Sequence, residues 1–418
     1  MRDSPSLRIA WLGPAPNEEG GVAGVAAALL GGLADRGHVV DCFFPGTSAE
    51  VPAQLRNRPN LTFQWSGTRW RWDRWYSRHP IAAFITSLAT RARGFMRLRR
   101  AIAAAHVRAP YDLVYQFSNV EAFGMPRALR RTVPLVIHPE THAAGELRCF
   151  VAERELGMRC HNALELVGVG LVLLTRSIAQ RLMIRRAALL VCISTPFRDH
   201  LVRDYRYPLS KTVVVPNPVD LERFRPRSGG VSEPARLLVL GRVSVRKGVE
   251  QIVTLSHALR SRNVDARIRI VGGHSLWSDY RPLLTGLDTT VAEYAGPIAA
   301  DLVPLELQGA DVLIQASSYE PFGLTVAEAL ASGVPVVATS EVGAVSGSSG
   351  EWYIETEPGD ADGLADGVTA ILARLRAAPG PVRRAARAHA ERSFDPGHVV
   401  GCIVSALETL LEGRNRAD

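Results

Sequence analysis

Short apolar runs alternate with longer stretches in which apolar side chains return every third or fourth position, and the alternation continues along the chain. Residues 7–12 form a run of strand type, ended by Gly13-Pro14. A polar loop at 16–21 follows, then small apolar residues over 22–36 that predict a helix closed by Gly37, then a second strand at 39–44. Strand, glycine loop, helix and strand make a βαβ unit. The pattern goes on through apolar runs at 112–115, 134–137 and 189–193. The last of these leads into a helix with Ser194 or Thr195 as its cap and Pro196 in its first turn.

Residues 216–234 are rich in proline, glycine and serine and read as a linker. A second α/β series then starts, with strands at 236–241 and 268–272 around a helix at 249–260, and later strands at 311–314 and 335–338. The predicted fold class is α/β, two doubly wound Rossmann-like domains with a cleft between them. The first domain is assigned to 1–215 and the second to 235–395. An amphipathic helix within 396–418 is expected to pack back on the first domain.

Composition narrows the class. A chain of 418 residues with 47% hydrophobic and 22% charged side chains is that of a globular protein of two domains. Its five cysteines, Cys42, Cys149, Cys160, Cys192 and Cys402, form no CxxC pair, which argues against a zinc site or a disulfide framework and fits a reducing, cytoplasmic setting. No signal peptide is visible, and the most apolar stretch, 167–174, is far short of the roughly 20 residues that span a bilayer. The net charge of +8 is uneven: residues 1–215 carry an excess of 13 positive charges and residues 216–418 an excess of 5 negative ones. Such asymmetry points to an anionic partner for the first half.

Residues 318–338 carry the most information. Glu320 and Pro321 lie in a loop that breaks at Gly323. A short helix then runs over 324–331 and stops at Ser332-Gly333, before an apolar strand. The N–H groups of Gly323, Leu324 and Thr325 point out of the top of a sheet, which suits an anion. Glu320 and Glu328 flank that spot and can accept hydrogen bonds from sugar hydroxyls. Amides for phosphate beside acids for hydroxyls imply a nucleotide sugar. A second segment, Gly241 to Gly248, leaves the first strand of the second domain and places Arg242 and Lys247 where a departing diphosphate needs fixed positive charge. Lys247 is one of only two lysines, the other being Lys211. Arg246 reads as a solvated neighbour.

Both segments resemble the donor site of the retaining glycosyltransferases of family four, whose fold is called GT-B, and the resemblance covers nearly the whole chain. It implies that Arg242 and Lys247 hold the diphosphate, with Glu320 at the donor sugar and Glu328 at the ribose. Phe322, Gly323, Leu324 and Thr325 belong to the same implied donor site. Gly20-Gly21 resembles the glycine loop that lets the donor approach the backbone. Gly272-Gly273 and Gly296-Pro297-Ile298 occur where the nucleotide base rests in that family. The family keeps a histidine near the reacting carbon, and His138 or His142 occupies about that place. HxxxH has metal-ligand spacing on a helix, but Pro139 makes a helix poor there and zinc is rejected. Asp360-Ala361-Asp362 resembles a metal-binding DxD, yet it follows Pro358-Gly359 and precedes a helix, so an N-cap is the better reading.

The resemblance implies a retaining hexosyltransferase with no obligatory metal or cofactor, acting on a nucleoside-diphosphate sugar, UDP- or GDP-sugar favoured, and a hydroxyl acceptor. Two alternatives share the fold: a nucleotide-sugar isomerase of 2-epimerase type, and a non-catalytic nucleotide-sugar-binding subunit. Trp65, Arg69, Trp70, Arg71, Trp72, Arg74 and Trp75, with Arg91, Arg93, Arg97, Arg99 and Arg100 beyond, suggest peripheral contact with an anionic membrane. The competing reading is part core and part solvated helix. No nucleic-acid motif accompanies the charge.

Overall fold

The computed structural model describes residues 6–17, 21–47, 51–68, 80–118, 125–161, 163–227, 229–274 and 279–416. Two parallel sheets organise them. The first contains β1 (Arg8–Leu12), β2 (Val39–Phe44), β3 (Leu61–Trp65), β4 (Leu113–Phe117), β5 (Leu135–His138), β6 (Leu189–Cys192) and β7 (Thr212–Val214), in the order β3-β2-β1-β4-β5-β6-β7. The second contains β8 (Ala235–Leu240), β9 (Ala266–Val271), β10 (Ala292–Gly296), β11 (Val312–Gln315), β12 (Val336–Thr339) and β13 (Tyr353–Thr356), in the order β10-β9-β8-β11-β12-β13. β4, β5, β11 and β12 are buried along their whole length, which is why they read as unbroken apolar runs. Strand order reverses between β1 and β4 and between β8 and β11, and a doubly wound sheet opens its crevice at such a point.

Helix Gly21–Asp35 buries Val25, Leu29, Leu30 and Leu33 at helical spacing. Against it lies the last helix, Pro396–Asn415, started by Asp395, whose carboxylate accepts the His398 N–H at 2.8 Å. Val399, Val400, Ile403 and Leu407 thereby join the core of the first domain. Each such burial is worth about 1.5–3 kcal/mol. Gly32 permits the approach, since a Cβ there would fall 2.6 Å from Val400.

One reading from sequence needs correction. Residues 167–174 are only the middle of helix Ala163–Ile184, whose Glu165–Ile184 stretch of 20 residues is long and apolar enough, by length and composition, to cross a membrane. Leu173, Gln180 and Ile184 of this helix are nonetheless buried in the domain. The Gln180 carbonyl accepts from the Ala143 N–H at 2.8 Å and the Tyr205 hydroxyl at 2.6 Å, while its amide donates to the Thr141 carbonyl at 2.7 Å. These bonds hold the helix to the protein.

Gly20 and the tryptophan–arginine run from Arg69 to Trp75 lie outside the described residues. Trp65 is half-buried against Phe44 and Phe63, and Arg97 donates to the Ser66 and Gly67 carbonyls. Arg91, Arg93 and Arg100 are exposed.

Candidate active site

The site is built by turns at the carboxyl ends of five strands. After β8 the chain turns at Gly241, and after β9 at Gly272, whose φ of 149° and close approach to Gly241 exclude a side chain: a Cβ would lie 1.8 Å from the Gly241 carbonyl oxygen. After β11 a loop is tied to the segment beyond β12. Glu320 N–H donates to the Glu341 carbonyl (3.2 Å), Gly343 N–H to Glu320 (3.0 Å) and Ala344 N–H to Phe322 (2.7 Å). Gly323, at φ 95°, then caps helix Leu324–Ala331. The Val326 and Ala327 N–H groups donate to the Gly323 carbonyl, so the orphan amides of that helix are those before Val326.

Around these turns lies a cavity of about 290 Å³, open to the cleft between the domains. Its second-domain wall includes Arg242, Gly272, Gly273, Ile298, Leu324, Thr325 and Glu328. Gly21, the first residue of helix Gly21–Asp35, closes it from the first domain. Two helix N-termini, one from each domain, therefore face one space, and each presents the positive end of its dipole. Gly296 borders this wall indirectly, its carbonyl accepting the Gly272 N–H at 2.9 Å.

Charge at the site is arranged in two layers. Arg242 lines the cavity itself. Behind it, Lys247 pairs with the Glu320 carboxylate, and Arg246 reaches the same carboxylate at 3.4 Å while donating to the Tyr319 carbonyl at 2.9 Å. Arg246 is thus a half-buried structural partner of Glu320, which corrects its reading as a solvated neighbour. Burial alone would raise the Glu320 carboxyl; Lys247, Arg246 and Arg242 outweigh it and hold the group below its ordinary value. Lys247 is pushed down by burial, with Glu320 acting in the opposite direction. Gly248 lets this turn pack tightly, because a Cβ there would meet the Ala316 carbonyl oxygen at 2.0 Å.

Glu328 differs. Burial raises its carboxyl to about 7, and Arg223 pulls the other way. Arg223 and Phe224, from the chain crossing between the domains, line the same cavity, and Arg223 also donates to the Ala300 carbonyl at 2.5 Å. Sequence reading assigned 216–234 to a linker alone and missed both. No motif marks them; only the fold brings them beside Glu328. Phe322 packs edge-on against Phe394, with ring centroids 5.6 Å apart, and is core rather than wall.

Neither histidine lines the cavity. His138 is wholly buried, with Nδ1 2.8 Å from the Tyr115 hydroxyl and Nε2 3.6 Å from Glu140, and burial lowers its pKa to about 3. Burial raises Glu140 to about 7, opposed by a hydrogen bond from Asn217. His142 is also buried, and it bridges the domains: Nδ1 is 2.8 Å from the Tyr319 hydroxyl and Nε2 3.1 Å from Asp204. Asp360 caps helix Ala361–Ala377 by accepting the Gly363 N–H at 2.8 Å. Among the described residues no group of three or more histidine, cysteine or acidic side chains is placed to hold a metal.

Two family models match the chain and between them cover most of it: Glycosyltransferase Family 4 over residues 19–223 and Glycosyl transferases group 1 over residues 234–374. The D-inositol 3-phosphate glycosyltransferase of Geodermatophilus obscurus is 27% identical over 97% of this chain and 89% of its own length. The mannosylfructose-phosphate synthase of Agrobacterium fabrum is 31% identical, but the match spans 39% of this chain and 40% of that relative. Among solved structures, the sucrose-phosphate synthase of Thermosynechococcus elongatus superposes with a TM-score of 0.70 at 18% identity, over 97% of this chain and all of the other. Anabaena HepE, solved in complex with UDP and glucose, gives 0.63 at 18% identity over 96% of this chain and all of its own. These structural likenesses establish the GT-B fold. The chain belongs to the group 1, family 4 glycosyltransferases.

Proposed function

We propose that this member of glycosyltransferase family 4 moves a hexosyl unit from a nucleoside-diphosphate sugar to a hydroxyl acceptor, with retention at the anomeric carbon. One observation carries the reading: helix N-termini from both domains, Arg242 and the carboxylate of Glu328 converge on one cavity. The amides and Arg242 suit a diphosphate; Glu328 suits the ribose hydroxyls and Glu320 the sugar. UDP is the first candidate for the nucleotide, because HepE was solved with it, and GDP the second.

The anomeric C1–O bond to the diphosphate breaks, and a C1–O bond to the acceptor forms on the same face of the sugar. The acceptor proton passes to the leaving phosphate oxygen. Negative charge develops on the diphosphate, and fixed cations at Arg242 and Lys247 stabilise it without needing a divalent ion. Lys247 is held in place for this by Glu320. The acceptor approaches from the basic first domain. Free thiols at all five cysteines fit a reducing compartment.

Thermal-shift measurements with UDP-, GDP-, ADP- and dTDP-sugars identify the donor, since ligand binding raises apparent stability. Incubation with the stabilising donor and an acceptor pool should release the nucleoside diphosphate, and proton NMR should show a product with the donor's anomeric configuration. An inverted product refutes retention. A free, altered sugar formed without acceptor makes the protein an isomerase. Stabilisation by none of the four removes the reading.

A further inference from the structure

Helix Ala163–Ile184, which packs beside the cleft-bordering helix Ala143–Ala152, turns an apolar face to solvent. Val167, Leu171, Leu174, Ile178 and Leu182 are 59%, 57%, 44%, 53% and 50% exposed. Their spacing puts them in one stripe about 22 Å long at 1.5 Å per residue. The other exposed positions within the stripe, Gly168 and Thr175, carry no charge. Packing explains the opposite side of the helix, where Leu173, Gln180 and Ile184 are buried, but it gives no reason for the outward one. Scattered exposed apolar residues are ordinary; a continuous stripe marks an interaction surface.

Arginines gather where the stripe ends. Arg185 and Arg186 follow Ile184 directly and are exposed, as are Arg127, Arg130 and Arg131. Arg130 is crowded by its own kind: burial first, then Arg186, Arg99 and Arg127, push its guanidinium below the usual value. The half of the chain that carries this face has the excess of positive charge. A second copy of the chain is a poor occupant on area alone. Five half-exposed side chains offer on the order of 400 Å², about half of the roughly 800 Å² per partner in a stable interface.

We propose that this face docks on an anionic lipid bilayer. The helix lies in the plane of the interface, its stripe at the boundary of headgroups and acyl chains, with the arginines on anionic headgroups. Spanning is excluded by Gln180, whose three hydrogen bonds tie the helix to the domain. Docking stands independently of the transferase reading, although it would bring the acceptor side of the cleft to a membrane.

The test is co-sedimentation of the full chain with phosphatidylcholine vesicles, with and without phosphatidylglycerol. Binding is expected to the mixed vesicles, weakly to the neutral ones, and to fall as salt is raised. L171E/I178E should lower binding at least about tenfold, since each substitution forfeits the burial of an apolar side chain. R185Q/R186Q should lower it by about fivefold per arginine. Circular dichroism melting checks that both variants remain folded, and R186Q alone keeps the test decisive where loss of the Arg185 bond to the Tyr205 carbonyl unsettles the pair. Absence of binding to mixed vesicles, or binding that neither variant changes, overturns the proposal. So does a dimer in sedimentation velocity that L171E/I178E abolishes while no vesicle binding occurs.

Discussion

Glu328→Gln distinguishes a carboxylate kept for a ligand from one kept for the fold, because the two roles predict opposite signs. In the folded protein burial lifts this carboxyl to about 7 from an ordinary 4.5. Below the ordinary value both states are protonated and the group is neutral to stability. As pH rises through the interval the unfolded chain ionises first, so stability falls until the folded group ionises too. Above pH 7 the penalty levels at about 3 kcal/mol. Glutamine removes the charge but leaves a polar amide in the same place, which returns part of that cost. The variant should therefore be more stable than wild type by about 1–2 kcal/mol at pH 8 and melt about 2–4 °C higher. Near pH 4.5 the two should melt together. Donor affinity should move the other way, down by at least about tenfold, the value of a hydrogen bond to a charged acceptor. In the wild type, calorimetric affinity for the donor should rise about tenfold from pH 6 to pH 8 as the carboxylate ionises, and the variant's profile should be flat. A variant that melts lower at pH 8 and binds donor unchanged would refute the argument.

Three further outcomes are expected. Lys247→Ala should lower kcat on the order of a hundredfold, about 3 kcal/mol in the barrier, while the melting temperature falls little because Arg246 still pairs with Glu320; turnover near wild type would remove Lys247 from the diphosphate clamp. Gly272→Ala should cost 3 kcal/mol or about that in denaturant unfolding, because its Cβ must displace the Gly241 carbonyl at a φ that other residues rarely adopt; an unchanged midpoint would show that the two turns can separate. Tyr319→Phe should cost about 1–2 kcal/mol by leaving His142 Nδ1 buried without its partner, with donor affinity retained; lost affinity at unchanged stability would place Tyr319 in the binding site instead.

The strands were legible because parallel strands buried on both faces must be continuously apolar, as at 336–338 and 312–314. The helix starts at Ser194 and Asp360 were legible because an N-cap is a local exchange of one side-chain oxygen for one backbone N–H. The second-domain wall was legible for a related reason. Arg242, Gly272 and Gly273 stand directly after a strand, so finding the strand end finds the residue, and Leu324, Thr325 and Glu328 sit on the short helix that Gly323 starts. Arg246 was misread because its partners, Tyr319 and Glu320, stand more than 70 positions away, and nothing local distinguishes a paired arginine from a solvated one. The apolar helix was cut short because Arg176 and Gln180 interrupt the run, although both turn towards the protein, Arg176 to Glu146 and Gln180 to Tyr205.

What sequence could least supply is the distance between the domains, and that distance sets the cavity. Gly21 lies on one side and Leu324 on the other, so any hinge motion changes the separation of the two helix N-termini. The contacts that hold it in this structure include the Arg159–Glu250 ion pair at 2.9 Å and three bonds nearer the site. The Ser194 hydroxyl donates to the Pro321 carbonyl at 2.7 Å, the Ser318 hydroxyl donates to Glu153 at 2.7 Å, and His142 meets Tyr319. Two glycines leave room for them: a Cβ at Gly343 would sit 2.4 Å from the Ser194 oxygen, and one at Gly145 2.7 Å from the Tyr319 ring. Ser318, Tyr319 and Pro321 bracket Glu320, so the loop that carries the proposed sugar-binding carboxylate is the loop that the first domain grips. A neutral hydrogen bond contributes about 1 kcal/mol and one to a charged group about 1.5–3 kcal/mol, so a few such bonds hold the domains only modestly against a ligand that binds across them. The balance favours a hinge that a donor can reset, with Glu320 moving as part of the contact. His142 touches that loop at Tyr319 and lies away from the cavity, so it meets the site only through the loop.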